Sequence, residues 1–177
     1  MPDYLLDTNI VRYWYDTRCP EHAKVLARVQ TIRQSDPQTQ YVPRLFISVV
    51  TVGEIEYGHR VTATPNVSKQ FEYLTFVREQ CPEPLDIIAH VGEHYGELKA
   101  WLMNNCSPKW MRTRARRLKE LVDPTTAEEL GADENDLWIT AQAMTFNLVL
   151  VTHDSGGHFG NLLRQFATTL RVEDWAG

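Results

Sequence analysis

Cysteine is scarce in this 177-residue chain, which contains Cys19, Cys81 and Cys106. Because their number is odd and no CxxC spacing occurs, the sequence favours neither a disulfide framework nor a zinc knuckle. The chain also lacks a long uninterrupted apolar run and a basic, apolar N-terminal leader. We therefore expect no membrane span and no signal peptide, and reduced thiols in the cytoplasm are the simplest interpretation.

Positive charge is also in short supply, since 18 Lys and Arg stand against 23 Asp and Glu, for a net charge of -5. Generic nucleic-acid binders carry a positive field that meets the phosphates, so the overall balance argues against that class. Residues 109–119 depart from this average, because they read Lys-Trp-Met-Arg-Thr-Arg-Ala-Arg-Arg-Leu-Lys and contain no acid. Local charge can therefore matter more here than the global sum.

Short apolar runs alternate with amphipathic segments, a pattern that predicts one α/β domain over residues 1–177. The predicted strands cover about residues 4–6, 45–49, 148–151 and 169–172. The predicted helices cover about residues 10–14, 20–32, 51–58, 66–80, 86–104, 108–122, 134–146 and 162–166. Alternating strands and helices indicate a three-layer α/β/α fold with a mainly parallel central sheet. Ligand sites of such folds lie outside the carboxyl ends of the strands.

Local signals predict how two of these helices begin and which face of a third is buried. Asn9 is expected to cap the first helix. Thr51 and Glu54 have the spacing of a capping box and are expected to start the helix after the second strand. In the helix over residues 66–80, Phe71, Leu74 and Val77 are expected to point inward.

Four acids, Asp7, Glu54, Asp136 and Asp154, follow predicted strands or lie in the first turns of predicted helices. Taken singly, each has an ordinary explanation as a helix cap or a turn residue. Taken together, they are expected to converge at one edge of the parallel sheet. Crowded carboxylates raise each other's pKa, so a chain that gathers them is expected to hold a hard divalent cation such as Mg²⁺ or Mn²⁺.

The motifs that contain these acids resemble those of PIN-domain nucleases, and most of all the VapC-type toxins of bacterial toxin–antitoxin pairs. The matching stretches span nearly the whole chain in the family's order: Leu-Leu-Asp-Thr-Asn over 5–9, Ser48 to Glu54 with Gly58, Glu134 to Ile139, Leu150 to Asp154, and Leu170 to Trp175.

This resemblance implies a PIN-like fold and an endoribonuclease, dependent on Mg²⁺ or Mn²⁺, that hydrolyses single-stranded RNA. It implies that Asp7, Glu54, Asp136 and Asp154 bind the metal and that Asn9 and Thr152 orient these acids or the bound water. It also implies a homodimer and a cognate antitoxin that blocks the site. The competing hypothesis is a non-catalytic PIN-fold protein that binds RNA or a partner.

The chain is longer than the compact toxins, because it carries a basic insertion, expected to be helical, at about residues 105–130. Basic segments usually form solvated faces paired with nearby acids. The functional alternative is a clamp for RNA phosphates, and binding of an acidic antitoxin segment is a third possibility. The candidate RNA contacts are Lys109, Arg112, Arg116 and Arg117.

A zinc site is a further alternative, because His90 to His94 match the HxxEH pattern of inverted zinc peptidases. Two histidines four residues apart on one helix face can hold Zn²⁺. Gly92 and Gly96 weaken that helix, however, and such peptidases need a distant acidic ligand in a larger domain. A chance match or a surface pair is the favoured interpretation.

Overall fold

A parallel sheet of four strands forms the centre of the part of the chain that the computed structural model describes. The described residues are 2–34, 41–62, 64, 66–108, 117–153, 158–167 and 169–177. The strands have the spatial order β2-β1-β3-β4, and every neighbouring pair is parallel. Their bounds are Tyr4–Leu6 for β1, Leu45–Ile47 for β2, Val149–Val151 for β3 and Arg171–Glu173 for β4.

Helices connect the strands and cover both faces of the sheet. Their bounds are Thr8–Tyr15 (α1), His22–Ile32 (α2), Val49–Arg60 (α3), Val67–Gln80 (α4), Ala89–Asn105 (α5), Glu134–Thr145 (α6) and His158–Phe166 (α7). Within the described residues, no helix is both long and apolar enough to cross a membrane.

Alternating side chains of the short strands divide the core into two parts. In β1, Tyr4 and Leu6 pack with residues of α1, α2, α3 and α4, whereas Leu5 packs on the opposite face with residues of α5, α6 and α7. In β3, Val149 and Val151 point to the first face and Leu150 points to the second. Because a strand buried on both faces must be apolar throughout, this arrangement explains the continuous apolar runs. The predicted three-layer α/β/α fold is confirmed.

Two helix starts differ from the sequence predictions. The N-cap of α1 is Asp7, whose side chain accepts a hydrogen bond from the Thr8 amide, so the prediction of Asn9 was wrong. The N-cap of α3 is Ser48, whose hydroxyl accepts from the Val50 amide at 2.9 Å, so the predicted cap at Thr51 was also wrong. In both places the helix begins directly after the strand, because the residue that ends the strand's pairing already has a capping side chain.

The buried face of α4 was predicted only in part. Asn66 caps the helix, and Leu74 and Val77 are buried as expected. Phe71 is 66% exposed, so its predicted inward position was wrong. Tyr73 is buried instead, with its ring stacked on the ring of Tyr15 at a centroid distance of 4.3 Å.

The basic helix predicted up to Val122 does not extend that far. Residues 109–116 lie outside the described residues, and beyond them the backbone is extended at Arg117. A single 3-10 turn over Leu118–Glu120 follows, and Val122 then pairs with Glu129 in an isolated antiparallel bridge. Leu118 is buried in the part of the core that also contains Leu5 and Leu150. Between residues 117 and 122 the chain is therefore anchored by one buried side chain on a 3-10 turn and does not form the predicted amphipathic α-helix.

Candidate functional site

The carboxyl edge of the sheet brings together three of the four predicted acids. Asp7 follows β1 directly, Glu54 lies on α3 and Asp136 lies in the first turn of α6. We call Asp7, Glu54 and Asp136 the acidic cluster. Asp154 lies outside the described residues, and its predicted place in the site stays a prediction.

Asp7 is 7% exposed, and neighbouring donors fix both of its carboxylate oxygens. Its Oδ1 accepts from the Thr8 amide at 2.6 Å, as expected of an N-cap residue. Its Oδ2 accepts from the Thr152 hydroxyl at 2.7 Å. Thr152 follows β3, so the pairing of β1 with β3 places its hydroxyl beside Asp7. The structure therefore places Thr152 where it can orient this carboxylate.

Glu54 joins three helices through its carboxylate. One oxygen accepts from the Thr8 hydroxyl of α1, and the other accepts from the Asn135 side-chain amide of α6 at 2.8 Å. Because α3 begins at its Ser48 cap, Glu54 lies in the second turn and cannot be the capping-box partner of Thr51. Its contacts are those of a residue that holds the edges of α1, α3 and α6 together.

Asp136 belongs to a capping box. Its Oδ2 accepts from the Asp133 amide at 2.7 Å, while Asp133 Oδ1 accepts from the amides of Asn135 and Asp136 at 2.7 Å and 3.1 Å. The ordinary explanation as a helix-start residue is therefore correct for Asp136. The capping box uses Oδ2 of Asp136, whereas Oδ1 of Asp136 receives no hydrogen bond from the described residues.

Burial and crowding disfavour the charged forms of two members of the acidic cluster. Burial, with smaller contributions from the charges of Glu54 and Asp133, raises the pKa of Asp7 to about 6. Burial, with the charges of Asp133, Asp7 and Glu54, raises the pKa of Asp136 to about 7. A divalent cation would offset both effects, because it supplies the opposite charge inside the site.

The chemistry of the donors fits a hard cation. Asp7 and Asp136 offer carboxylate oxygens, the ligands preferred by Mg²⁺ and Mn²⁺. In the conformation described, Thr8 and Asn135 occupy both oxygens of Glu54. Among the described residues no three His, Cys, Asp or Glu side chains are grouped closely enough to hold a metal ion. The donors are thus suited to Mg²⁺ or Mn²⁺, and Glu54 would have to exchange a hydrogen bond to join them.

A cavity of about 160 Å³ opens beside Asp7 and Asp136. Polar and apolar side chains both line it, and among them Thr140 is fully buried with a hydroxyl that has no hydrogen-bond partner among the described residues. The remaining lining residues are Asn9, Gly131, Ile139, Leu150, Thr152, His153 and Phe159.

Asn9, predicted to orient the acids or the bound water, lines this cavity but contacts the main chain instead. Its side-chain amide donates to the His153 carbonyl at 3.2 Å, and its Oδ1 accepts from the His153 amide at 3.2 Å. These contacts fix the chain immediately after β3, next to Thr152.

Sequence reasoning missed three residues of this site: Thr8, Asp133 and Asn135. Thr8 and Asn135 each adjoin a predicted acid in the sequence, but both act on Glu54, which lies 46 and 81 residues away. Asp133 directly precedes the helix predicted over residues 134–146; it caps that helix, and its charge also acts on Asp136. The signal available in the sequence was adjacency to an acid, which does not reveal a partner in another helix.

The histidines of the zinc alternative lie outside this cluster, and three of the four basic candidates are not among the described residues. Lys109, Arg112 and Arg116 are not among the described residues, while Arg117 is exposed and donates through its amide to Glu120. His90 Nδ1 contacts Glu93 at 3.0 Å, and His94 Nδ1 contacts the His90 carbonyl at 3.0 Å. The described residues add no third side chain that could complete a zinc site there.

Comparison with solved structures identifies the fold. The structure of VapBC2 from Rickettsia felis, bound to a DNA fragment from its promoter, contains a similar chain with a TM-score of 0.63 and 20% identity, covering 97% of this chain and 98% of that chain. VapBC-1 from nontypeable Haemophilus influenzae gives a TM-score of 0.60 at 24% identity, with 98% of each chain covered. VapBC-5 from Mycobacterium tuberculosis, of the VapBC family of toxin-antitoxin systems, gives 0.54 at 19%, with 98% of each chain covered.

These likenesses extend over nearly the whole chain and confirm the PIN-like fold that the motifs predicted. No family model and no curated protein sequence matches the chain. At identities below 25%, the comparisons establish the fold alone.

Proposed function

We propose that this protein is an endoribonuclease that uses Mg²⁺ or Mn²⁺ to hydrolyse RNA phosphodiester bonds, and that it is the toxin of a toxin–antitoxin pair. One observation carries the proposal: Asp7 and Asp136, from different elements of the fold, line one cavity and both have strongly raised pKa values. A chain gains nothing in stability from such crowding, so the arrangement is best explained by a cation that binds there.

When bound, Mg²⁺ or Mn²⁺ would activate water for attack on phosphorus and neutralise the charge that develops on the phosphate. The protein's own part is to hold the carboxylates in position. The Thr8 amide and the Thr152 hydroxyl orient Asp7, and the Asp133 amide orients Asp136 so that its Oδ1 remains available. We propose Asp154 as a further ligand on the basis of its motif.

Glu54 has a less direct part in this proposal. Its bonds to Thr8 and Asn135 keep the carboxyl edge together in the conformation described. We propose that Glu54 releases one of these partners when it contacts the cation directly or through water. Glu54 would thus help to hold the cation in the loaded protein, and it links the three helices otherwise.

The toxin role, an antitoxin partner and a homodimer are proposals supported by the fold. In three VapBC structures, one chain shares this fold over 98% of its length. One of these proteins, VapBC-5, is a member of a family of toxin-antitoxin systems. We propose in the same way that Lys109, Arg112, Arg116 and Arg117 contact RNA phosphates, because a chain with a net charge of -5 needs a local positive region to approach RNA.

The experiment is a cleavage assay with single-stranded RNA in Mn²⁺, Mg²⁺ or EDTA. We expect cleavage in the presence of metal and none in EDTA. Asp7→Asn and Asp136→Asn should each lower the rate by more than about 100-fold, since loss of even an outer-shell partner costs about 10- to 100-fold. The matched control is Glu79→Gln, an exposed acid in the last turn of α4, which should cleave like the wild type.

Two results would overturn the enzyme proposal. One is the absence of metal-dependent cleavage by the wild type, and the other is equal cleavage by the wild type, Asp7→Asn and Asp136→Asn. Binding of RNA or a partner protein without cleavage would instead favour the non-catalytic alternative. Light scattering of the purified protein tests the homodimer.

A further inference from the structure

A second and larger cavity, of about 1020 Å³, lies between α1, α3 and α4. Ligand-binding cavities measure about 300 to 1,000 Å³, so this one, which we call the lateral cavity, has room for a ligand. Thr8 and Glu54 belong to its wall, and the Thr8 hydroxyl donates to the Glu54 carboxylate. Asp7 and Asn9, on either side of Thr8 in the chain, line the acidic cavity. The two cavities therefore meet at the start of α1.

The acids in the wall of the lateral cavity already accept hydrogen bonds. Both carboxylate oxygens of Asp16 accept from the Arg18 guanidinium, at 2.8 Å and 2.7 Å. Glu54 accepts through both oxygens, as described above, and Glu72 accepts from the Ser68 hydroxyl at 3.0 Å. The negative charges of this wall are thus largely engaged by the protein itself.

Several donors of the same wall, in contrast, have no partner among the described residues. Arg12, one turn after Thr8 on α1, and Lys69, in the first turn of α4, are exposed and form no side-chain hydrogen bond or ion pair there. Tyr73 is 8% exposed, and its buried hydroxyl also lacks a hydrogen-bond partner, which is uncommon in native proteins. Burial raises the pKa of Tyr73 and the charge of Arg12 acts against this rise, so the guanidinium lies near this part of the wall.

Engaged acids and unpaired donors favour an anionic ligand that is rich in acceptor oxygens. The backbone of single-stranded RNA has this chemistry, and Arg binds phosphate through two parallel hydrogen bonds. The rings of Tyr15 and His59 also line the lateral cavity, and unpaired bases stack on such rings. A strand that is cut at the acidic cluster has to continue along a neighbouring surface, and the lateral cavity is directly adjacent.

We propose that the lateral cavity binds the RNA strand next to the scissile phosphate, and that Arg12 and Lys69 each contact a backbone phosphate there. This inference rests on the proposed function and gives its substrate a path along the protein. The acidic cluster repels phosphates, so cations on an adjoining wall help the strand to bind. Because neither side chain contacts the reacting phosphate, both are binding residues: their loss should raise KM and leave kcat nearly unchanged.

The test measures binding of a fluorescently labelled single-stranded RNA by anisotropy. Ca²⁺ replaces Mg²⁺, because it also binds carboxylate oxygens, and a denaturing gel confirms that the RNA stays intact. Arg12→Gln should weaken binding by about ten-fold, since hydrogen bonds to charged groups are the stronger ones. Arg12→Gln and Lys69→Gln should each lower the slope of the salt dependence by about 0.7. The matched control is Arg78→Gln, an exposed cation of α4 outside the lateral cavity, which should bind like the wild type.

A second measurement connects Arg12 to one phosphate and begins with the wild type, so it does not depend on a variant folding. The ligands are 2′-O-methyl RNAs with one uncharged methylphosphonate linkage at successive positions. Linkages beside the cleavage site should weaken binding to the wild type. At one of them, Arg12→Gln should cause no further loss, because the charge that Arg12 contacts is already absent.

The outcomes separate this inference from the proposed function. Metal-dependent cleavage by the wild type, together with unchanged RNA affinity and salt slope in Arg12→Gln and Lys69→Gln, would overturn the inference and leave the nuclease proposal standing. A labelled polyglutamate peptide represents the other occupant, an acidic segment of a partner protein. If the two substitutions weaken binding of this peptide and not of RNA, the lateral cavity is a partner's site and the inference is wrong. A wild type that neither binds nor cleaves RNA would overturn both proposals.

Discussion

Replacing Asp136 with asparagine should make the metal-free protein more stable, because a charged carboxylate at this buried position lowers the free energy of unfolding. The pKa of Asp136 is raised from its ordinary value of 3.8 to about 7, mainly by burial and then by Asp133, Asp7 and Glu54. A change of this size corresponds to about 4 kcal/mol between the charged and neutral forms.

The sign follows from the protons bound in each state. Between about pH 4 and pH 7 the folded protein keeps a proton on Asp136 that the unfolded chain has released. The unfolded state then binds fewer protons, so the free energy of unfolding falls as the pH rises through this window. Above about pH 7 the penalty is fully present, and below about pH 4 it is absent.

The Asp136→Asn substitution removes the charge but keeps the shape, and an amide oxygen can still accept from the Asp133 amide. We expect a gain of about 2 to 4 kcal/mol at about pH 8 and less than half of that gain at about pH 5. Asp7→Asn should gain less, because Asp7 accepts from Thr8 and Thr152 on separate oxygens. An amide has one acceptor oxygen, and leaving a buried donor unpaired costs about 1 to 3 kcal/mol.

The assay is urea unfolding in EDTA, followed by the fluorescence of the chain's five tryptophans at about pH 5 and about pH 8. Glu79→Gln, at an exposed position, serves as the control and should match the wild type at both pH values. The prediction is refuted if Asp136→Asn is no more stable than the wild type at the higher pH. It is equally refuted if the gain is the same at both pH values, since a gain without pH dependence cannot come from this carboxylate's charge.

Two further predictions test the cation and the basic segment. Saturating Mn²⁺ should raise the urea midpoint of the wild type, because a ligand at 100 times its dissociation constant adds about 2.7 kcal/mol to the free energy of unfolding. The shift should be much smaller for Asp136→Asn, and an equal shift in both proteins would place the bound ion elsewhere. Replacing Arg112, Arg116 and Arg117 with Ala should weaken RNA binding and reduce its salt dependence by a slope of up to about 0.7 per lost contact, measured by anisotropy across a salt series. An unchanged slope would indicate a solvated face.

The elements of the sheet followed from sequence because strand burial leaves a direct trace. Leu5 and Leu150 are buried on one face while their neighbours in the same strands are buried on the other, so whole runs must be apolar. The helix starts were less certain, because several side chains near each start can cap. Ser48 and Thr51 both satisfy the local pattern at α3, and the end of β2 at Ile47 decides in favour of Ser48.

The sequence predicted the residues of the site better than it predicted the contacts between them. Asp7 and Asp136 were identified from their motifs, and the sheet places both at one cavity. The partners of Glu54 lie in other helices, so no local pattern indicates them. The inward position of Phe71 failed for a similar reason: Tyr73 is buried through stacking on Tyr15, a contact between α4 and α1 that helical periodicity alone does not encode.

The shortness of β1 has an evolutionary consequence. Its residues Tyr4–Leu6 lie between two aspartates, Asp3, which binds Arg44 where β2 begins, and Asp7, which binds Thr152 where β3 ends. Adding or deleting one residue in β1 would turn its side chains to the wrong faces and break one of these anchors. We therefore expect homologues to tolerate changes of residue type in β1 but not changes of length. Their alignment should keep the spacing of four positions between Asp3 and Asp7.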